Sequence, residues 1–336
     1  MNRKRIVGVL ASLTLSAVLI AVLLSRIEIS MLIRTLRDIH RPSLLAFLLC
    51  SLAGTGLRAW RYHCLLAPRP TSRSGILLVS FIRNLFVDLL PARIGSLSYV
   101  YFVNRRLGLP FEAAASSFAI SVLLDFLTLS PFLIAALLLG GLGASVLPAG
   151  PTLLIALVFF LIMIVIMLRM PQLLMGAARL LRAVFHRLGI DRKSWTEQAA
   201  SKLESTSADV RSIRARRIEA PVYGLSLLIR LTKYGALFFL LFALLHSHGY
   251  SIGDLSFPKT ILGITGAEMS SVMPIKGIGG FGTWESAWAL TFRLLGFDAG
   301  LAVISGIGVH LITNLFEYAL GVVSLLLLYF PFRRKK

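Results

Sequence analysis

Charge is scarce in this chain, and cysteine is scarcer still. Only 15% of the 336 residues are Asp, Glu, Lys or Arg, well under the roughly 25% of a soluble domain. Mean hydropathy is +0.81, which excludes an ordinary water-soluble globule. Cys50 and Cys64 are the only cysteines; one falls in an apolar segment and the other beside a basic one, so no disulfide framework is expected. A G-x-x-x-x-G-K-[ST] sequence is missing, which argues against direct ATP drive. His63 beside Cys64 lacks a second ligand pair, so neither a metal nor a cofactor is expected. No nucleophile is matched with a base, and the chain is not expected to be an enzyme.

Apolar residues are abundant, at 57% of the chain. Residues 6–25, 151–168 and 301–330 each approach or exceed the roughly 20 apolar residues that span a bilayer as helix. The fold class is therefore an all-α integral membrane protein. Acidic residues number 15 against 35 Lys plus Arg, a net charge of +20. On a soluble protein that excess would suggest nucleic acid. Here the basic residues collect between the apolar runs, as in cytoplasmic loops of a cell inner membrane protein, so nucleic acid is not an expected partner. The run after "MNRKR" has no A-x-A site and is as long as a span, which favours an uncleaved first span over a signal peptide.

Orientation follows from where Lys and Arg fall. Residues 3–5, 58–73, 105–106 and 169–217 and the tail "RRKK" are basic and are expected in the cytoplasm, together with both termini. The connections "GGLGASVLPAGP" and "HSHGYSIGDLSF" contain neither Lys nor Arg and are expected outside. Residues 26–41 mix Arg with acids, and read as an interfacial amphipathic helix. Parity then decides what hydropathy cannot. Residues 75–104 leave one cytoplasmic cluster and arrive at another, so they enter and return. The second arm, 94–104, is too short to cross, and "PARIG" falls at the bend, which favours a re-entrant hairpin over two thin spans. The same count makes 257–293 a hairpin entering from the outside, bent at its Pro-Lys-Gly element. The stretches "RLGLPFEAAA" and "RLLGFDAGLA" follow the two hairpins and are alike. The expectation is one polytopic domain, 1–336, with about six full spans plus two re-entrant helical hairpins in an inverted-repeat arrangement. Its parts are a first hairpin plus span (75–141), a basic helical segment on the inner leaflet or in the cytosol (169–217), and a second hairpin plus span (257–330).

Charges inside membrane segments are costly and face a cavity or a partner. In the first half these are Arg58, Arg83, Asp88, Arg93 and Asp125; in the second, Arg230, Lys233, Glu268, Lys276, Glu285, His310 and Glu317. Arg230 and Lys233 share a helix face by their spacing of three, and so do His310, Asn314 and Glu317. Proline ends a helix at each bend and glycine lets the chain turn, which leaves main-chain N–H groups beside a cation. The bend residues are Pro91 and Gly95 in the first hairpin, and Pro274, Gly277, Gly279 and Gly280 in the second. Arg93, Lys276, Arg58, Arg230 and Lys233 are the candidates for binding a lipid phosphate. Asn84, Asp88, Asp125, Glu285, His310, Asn314 and Glu317 are the candidates for a polar cavity. The alternative for Arg93 and Lys276 is a purely structural pairing with Asp88, Asp125 or Glu285.

Two stretches carry a resemblance to a known family. "FIRNLFVDLLPARIGSLSYVYFVNRRLGLPFEAAASSFAISVLLDFL" and "MSSVMPIKGIGGFGTWESAWALTFRLLGFDAGLA" resemble the flippase-like transmembrane domain of lysylphosphatidylglycerol synthases, which also occurs as stand-alone proteins. The matching positions are Asn84, Leu90 through Gly95, Leu107, Gly108 and Asp125, then Pro274, Gly279, Gly280, Gly282 and Glu285. The resemblance implies movement of an anionic phospholipid between leaflets, without the synthase activity of the separate soluble domain. Ser96 and Val122 stand where many relatives carry charge, so the lipid need not be lysylphosphatidylglycerol. The expected function is translocation of an anionic phospholipid or a polyprenyl-phosphate-linked lipid. Its rival is a non-transporting partner that presents a lipid-linked substrate to a glycosyltransferase. The partners implied are a membrane lipid with an anionic headgroup and a lipid-modifying enzyme or glycosyltransferase, with room left for an oligomer.

Overall fold

The computed structural model describes residues 29–139, 149–187, 194–270 and 280–330. The expected first span, residues 6–25, lies outside them. Helix α1 (Ile29–Arg37) is short and two-faced. Its Ile29 and Ile33 are exposed, while buried Thr35 meets His248 Nε2 at 2.7 Å. Helix α2 (Arg41–Leu66) has a proline in its first turn, where a missing N–H costs nothing. Helix α3 (Arg73–Leu89) is capped by the Ser72 hydroxyl, which accepts from the Gly75 N–H at 3.1 Å. It stops just before Pro91, and a 3-10 turn (Pro91–Leu97) leads into the short α4 (Ser98–Arg105). Then come α5 (Phe111–Leu127), α6 (Leu129–Leu139), α7 (Ala149–Arg187), α8 (Ser194–Ala215) and α9 (Glu219–Leu245). The chain ends in α10 (Phe257–Met269), α11 (Thr283–Leu294) and α12 (Ala299–Tyr329). Among the described residues, five helical stretches are long and apolar enough to cross a bilayer: Arg41–Leu66, Phe111–Leu139, Gly150–Arg187, Glu219–His248 and Ala299–Tyr329.

The first expected bend is a turn between two helices that pack together. The 3-10 turn closes directly on the end of α3, so that a Cβ at Gly95 would stand 1.6 Å from the Phe86 carbonyl oxygen. Only glycine permits that approach. Ile76, Val79 and Ile82 of α3 then share one apolar cluster with Tyr99, Phe102 and Val103 of α4. In the second hairpin, α10 lies against α11, and a Cβ at Gly263 would stand 2.4 Å from the Phe292 ring. Its tip, with Pro274, Lys276, Gly277 and Gly279, lies outside the described residues.

Among the described residues the helices before and after residue 150 interlock. The first spans, α2 and α9, pack along each other. The leading arm of each hairpin lies on the last span of the other half, α3 on α12 and α10 on α6. The closing arms stay within their own half, α4 against α5 and α11 against α12. Side chains from both halves therefore point into one interior.

The described part of residues 169–217, expected as a basic helical segment on the inner leaflet or in the cytosol, is helical. The span that begins near residue 150 does not end at Leu168; it runs on as one 39-residue helix, with Pro171 inside it. Proline removes the N–H that would reach Met167. Arg214 of α8 donates to the Met167 carbonyl instead, and also to that of Leu168 at 2.9 Å. The helix persists because a guanidinium replaces the missing main-chain donor. Helix α8 packs on α5 as well as α7. There Asp209 accepts from Arg69 and from Ser116, and Arg216 donates to the carbonyls of Cys64 (3.0 Å) and Leu65 (2.8 Å) at the end of α2.

Candidate functional site

The interior between the halves holds a network of cations. Arg58 and Arg61 stand three residues apart on α2 and share a face. Arg61 is fully buried and pairs with Asp125 of α5 at 2.7 Å. It also donates to Ser226 of α9 at 2.9 Å. Arg58 donates to the Asn84 side-chain carbonyl at 3.2 Å, and the Asn84 amide donates in turn to Thr55 at 3.4 Å. Arg83 of α3 lies near enough to repel Arg58. From α9, Arg230 donates to the Asp125 main-chain carbonyl and reaches Glu268 of α10 at 4.0 Å. Lys233, one turn on, pairs closely with Glu268, and Tyr234 meets Thr265 at 3.0 Å.

Among the described residues, Arg58, Arg61, Arg83, Arg230 and Lys233 gather around two carboxylates, Asp125 and Glu268. Of their donors, Arg58 Nε, Arg61 Nε and Nη2 and Arg83 Nε are buried without a partner among the described residues, each a cost of about 1–3 kcal/mol. An anion with several oxygens would satisfy these donors and offset the charge together.

A second polar centre is built from α11 and α12. The chain enters α11 through Gly280 and Gly282, both at positive φ (79° and 85°). Glu285, in the first turn of α11, accepts from the Gly282 N–H at 2.8 Å with one carboxylate oxygen. The other oxygen lies 2.5 Å from His310 Nδ1 on α12. Glu285 is 1% and His310 8% exposed, so this is a buried pair. The His310 ring lies between Phe281 (4.6 Å) and Trp284 (4.9 Å). One turn further along α12, Asn314 is buried, and its side-chain nitrogen has no partner among the described residues. Among the described residues, no group of three or more His, Cys, Asp or Glu could hold a metal ion.

The candidates expected from sequence thus divide into two centres. Arg58, Asn84, Asp125, Arg230 and Lys233 meet in the cation network, whereas Glu285, His310 and Asn314 form the second. Glu317 continues the α12 face, half-buried and engaged. The side chains of Asp88 and Arg93, and all of Lys276, lie outside the described residues. Among the described residues Asp125 pairs with Arg61 and Glu285 with His310; the alternative pairings with Arg93 and Lys276 involve side chains outside them. Sequence reasoning missed Arg61, because 58–73 reads as one cytoplasmic basic stretch. The signal was there in its spacing of three from Arg58 and in α2 continuing to Leu66.

A family model described as the lysylphosphatidylglycerol synthase TM region matches residues 9–321. The chain belongs to this family. The match covers both hairpins and both polar centres, and membership ties this membrane domain of the lysylphosphatidylglycerol synthase family to lipid handling. No curated protein sequence matches the chain.

Proposed function

We propose that the chain is a lipid translocator that moves an anionic phospholipid or a polyprenyl-phosphate-linked lipid between leaflets. In this reading the hairpins are re-entrant and enter from opposite faces as inverted repeats. The headgroup crosses through the polar interior while its tails stay in the bilayer. The protein sits in the inner membrane with its basic ends in the cytoplasm, and it makes or breaks no covalent bond.

The gathering of cations around buried Arg61, with the buried N–H donors of Arg58, Arg61 and Arg83 that have no partner among the described residues, supports the reading. Asp125 orients Arg61, and Glu268 holds Lys233, so those two carboxylates order the site. Guanidinium groups suit the task because their planar donors match phosphate oxygens. By sequence, Arg93 and Lys276 add a cation to each hairpin bend for the same phosphate.

Arg58→Ala is the test, because Arg58 pairs with neutral Asn84 and its removal orphans no buried carboxylate. Full-length protein in liposomes with a fluorescent phosphatidylglycerol should transfer it, as read by dithionite quenching. The variant should transfer it about tenfold more slowly, the loss of one charge-assisted hydrogen bond. Equal rates would count against this site. Binding of anionic lipid without transfer in the unmodified protein would favour the partner that presents lipid to a glycosyltransferase.

A further inference from the structure

Helix α7 is longer than a bilayer is thick. Its 39 residues measure about 58 Å at about 1.5 Å per residue. Even at a tilt of about 40° they rise about 45 Å, against a hydrocarbon core of about 30 Å. The turns after Pro171 therefore reach the headgroups at the basic end of the helix or pass beyond them. We propose that the outward face of these turns is a docking surface for anionic phospholipid of the adjoining leaflet, which is the cytoplasmic one when the basic ends face the cytoplasm. That assignment does not depend on lipid translocation.

These turns have two unlike sides. Arg182 turns to α8, where it pairs with Glu197 at 2.8 Å and with Glu204 at 2.5 Å. Fully buried Ala178 lies one turn before it on that side. Leu173, Leu180 and Val184 share the opposite side by their helical spacing, and Leu173 and Leu180 are 52% and 64% exposed. They continue the line of exposed Leu161 and Val165 in the span, so one apolar edge passes Pro171 without a break. Arg169 and Arg187, both exposed, bracket this extension on the same face. Arg179 stands at its margin, close enough to Glu204 to act on that carboxylate. Residues 169–187 contain neither Asp nor Glu.

An apolar stripe between guanidinium groups selects its occupant. A helix at an interface buries its apolar face at the boundary of acyl chains and headgroups, and its cations meet lipid phosphates. Of the five membrane-length stretches, α7 is the least covered by the rest of the chain, which leaves that face to its surroundings. A second copy fits it less well. Two copies in one membrane run parallel, so a twofold pairing along the stripe sets Arg169 against Arg169 and Arg187 against Arg187. Helix α8 does not share the leaflet, because its exposed side carries Ser201, Ser205 and Ser212 and offers no apolar stripe. The basic segment thus divides in two: α7 meets lipid, and α8 covers its other side toward water.

The test puts a fluorophore on each side. In full-length protein carrying Cys50→Ser and Cys64→Ser, an NBD group is attached at Leu180→Cys or at Ser205→Cys, and the protein is reconstituted in nanodiscs of phosphatidylcholine and phosphatidylglycerol. Lipid with a nitroxide high on its acyl chain quenches from the leaflet, and neutral acrylamide quenches from water. The expected result is strong nitroxide and weak acrylamide quenching at Leu180→Cys, and the reverse at Ser205→Cys. Nitroxide-labelled phosphatidylglycerol should be enriched about fivefold over labelled phosphatidylcholine around Leu180→Cys, since one base near the surface attracts anionic lipid by about 1 kcal/mol. Arg169→Gln with Arg187→Gln should remove that preference. Acrylamide quenching at Leu180→Cys as strong as at Ser205→Cys overturns the docking surface. So does protection from both quenchers, which would mean that a second copy or another protein covers the stripe. Equal quenching by the two labelled lipids, or a preference that survives the double variant, overturns the selection of anionic lipid. Should Leu180→Cys fail to fold, Val184→Cys reads the same stripe. Transfer between leaflets is not measured, so the translocator reading stands or falls separately.

Discussion

Arg214 donates to the main-chain carbonyl of Met167, the acceptor that Pro171 leaves without its helical N–H. A basic residue outside the membrane-length apolar run thereby repairs a break inside it. Arg216 makes the matching contact at the end of α2, on the carbonyls of Cys64 and Leu65. Helix α8 therefore clamps two spans through main-chain acceptors that proline or a helix end leaves open.

Removing the clamp should cost stability unless the N–H is restored. Arg214→Ala is expected to lower stability by about 1–3 kcal/mol, read as a fall in melting temperature in detergent. Pro171→Ala returns the donor to Met167, so the double variant should recover part of the loss. Additive losses in this double-mutant cycle would refute the link between the two residues.

Asp125 is the only carboxylate bonded to fully buried Arg61 among the described residues. Asp125→Ala leaves that guanidinium uncompensated and should destabilise by about 3–5 kcal/mol. Arg61→Met with Asp125→Leu removes both charges and should be far milder. Thermal unfolding monitored by light scattering separates the two outcomes.

Two glycines should respond oppositely to the same change. Gly95→Ala places a Cβ into the Phe86 carbonyl and should prevent the first hairpin from closing, seen as loss of monodisperse protein on size exclusion. Gly56→Ala, with nothing within 4 Å of the new methyl, should stabilise helix α2 by about 0.5–1 kcal/mol. Equal behaviour would mean that the 3-10 turn does not close on α3.

The contact between α7 and α8 should weaken in acid. Hydrogen bonds from Arg182 hold the Glu204 carboxyl below its usual range. A lowered pKa means that the pairing contributes fully above the ordinary carboxylate pKa and is lost as pH falls through the lowered value. Hydrogen exchange in α8, corrected for intrinsic rate, should accelerate on acidification. Arg182→Gln should already exchange fast at neutral pH and change little on acidification.

Hydropathy and charge placement alone carried the all-helical membrane class and the helix end before Pro91. They could do so because an apolar run of membrane length, a proline beside glycine, and an ionisable residue among aliphatics each have few physical solutions. The packing of the spans settled the pairings. Asp125 and Glu285 each had several cations within reach of expectation, and only the approach of α2 to α5 and of α11 to α12 selected Arg61 and His310. Likewise Pro171 reads as a helix end in one dimension, whereas in three dimensions Arg214 arrives from α8 to replace the donor that proline lacks. Local chemistry sets what each group requires; which distant group meets the requirement depends on long-range contacts that no local pattern encodes.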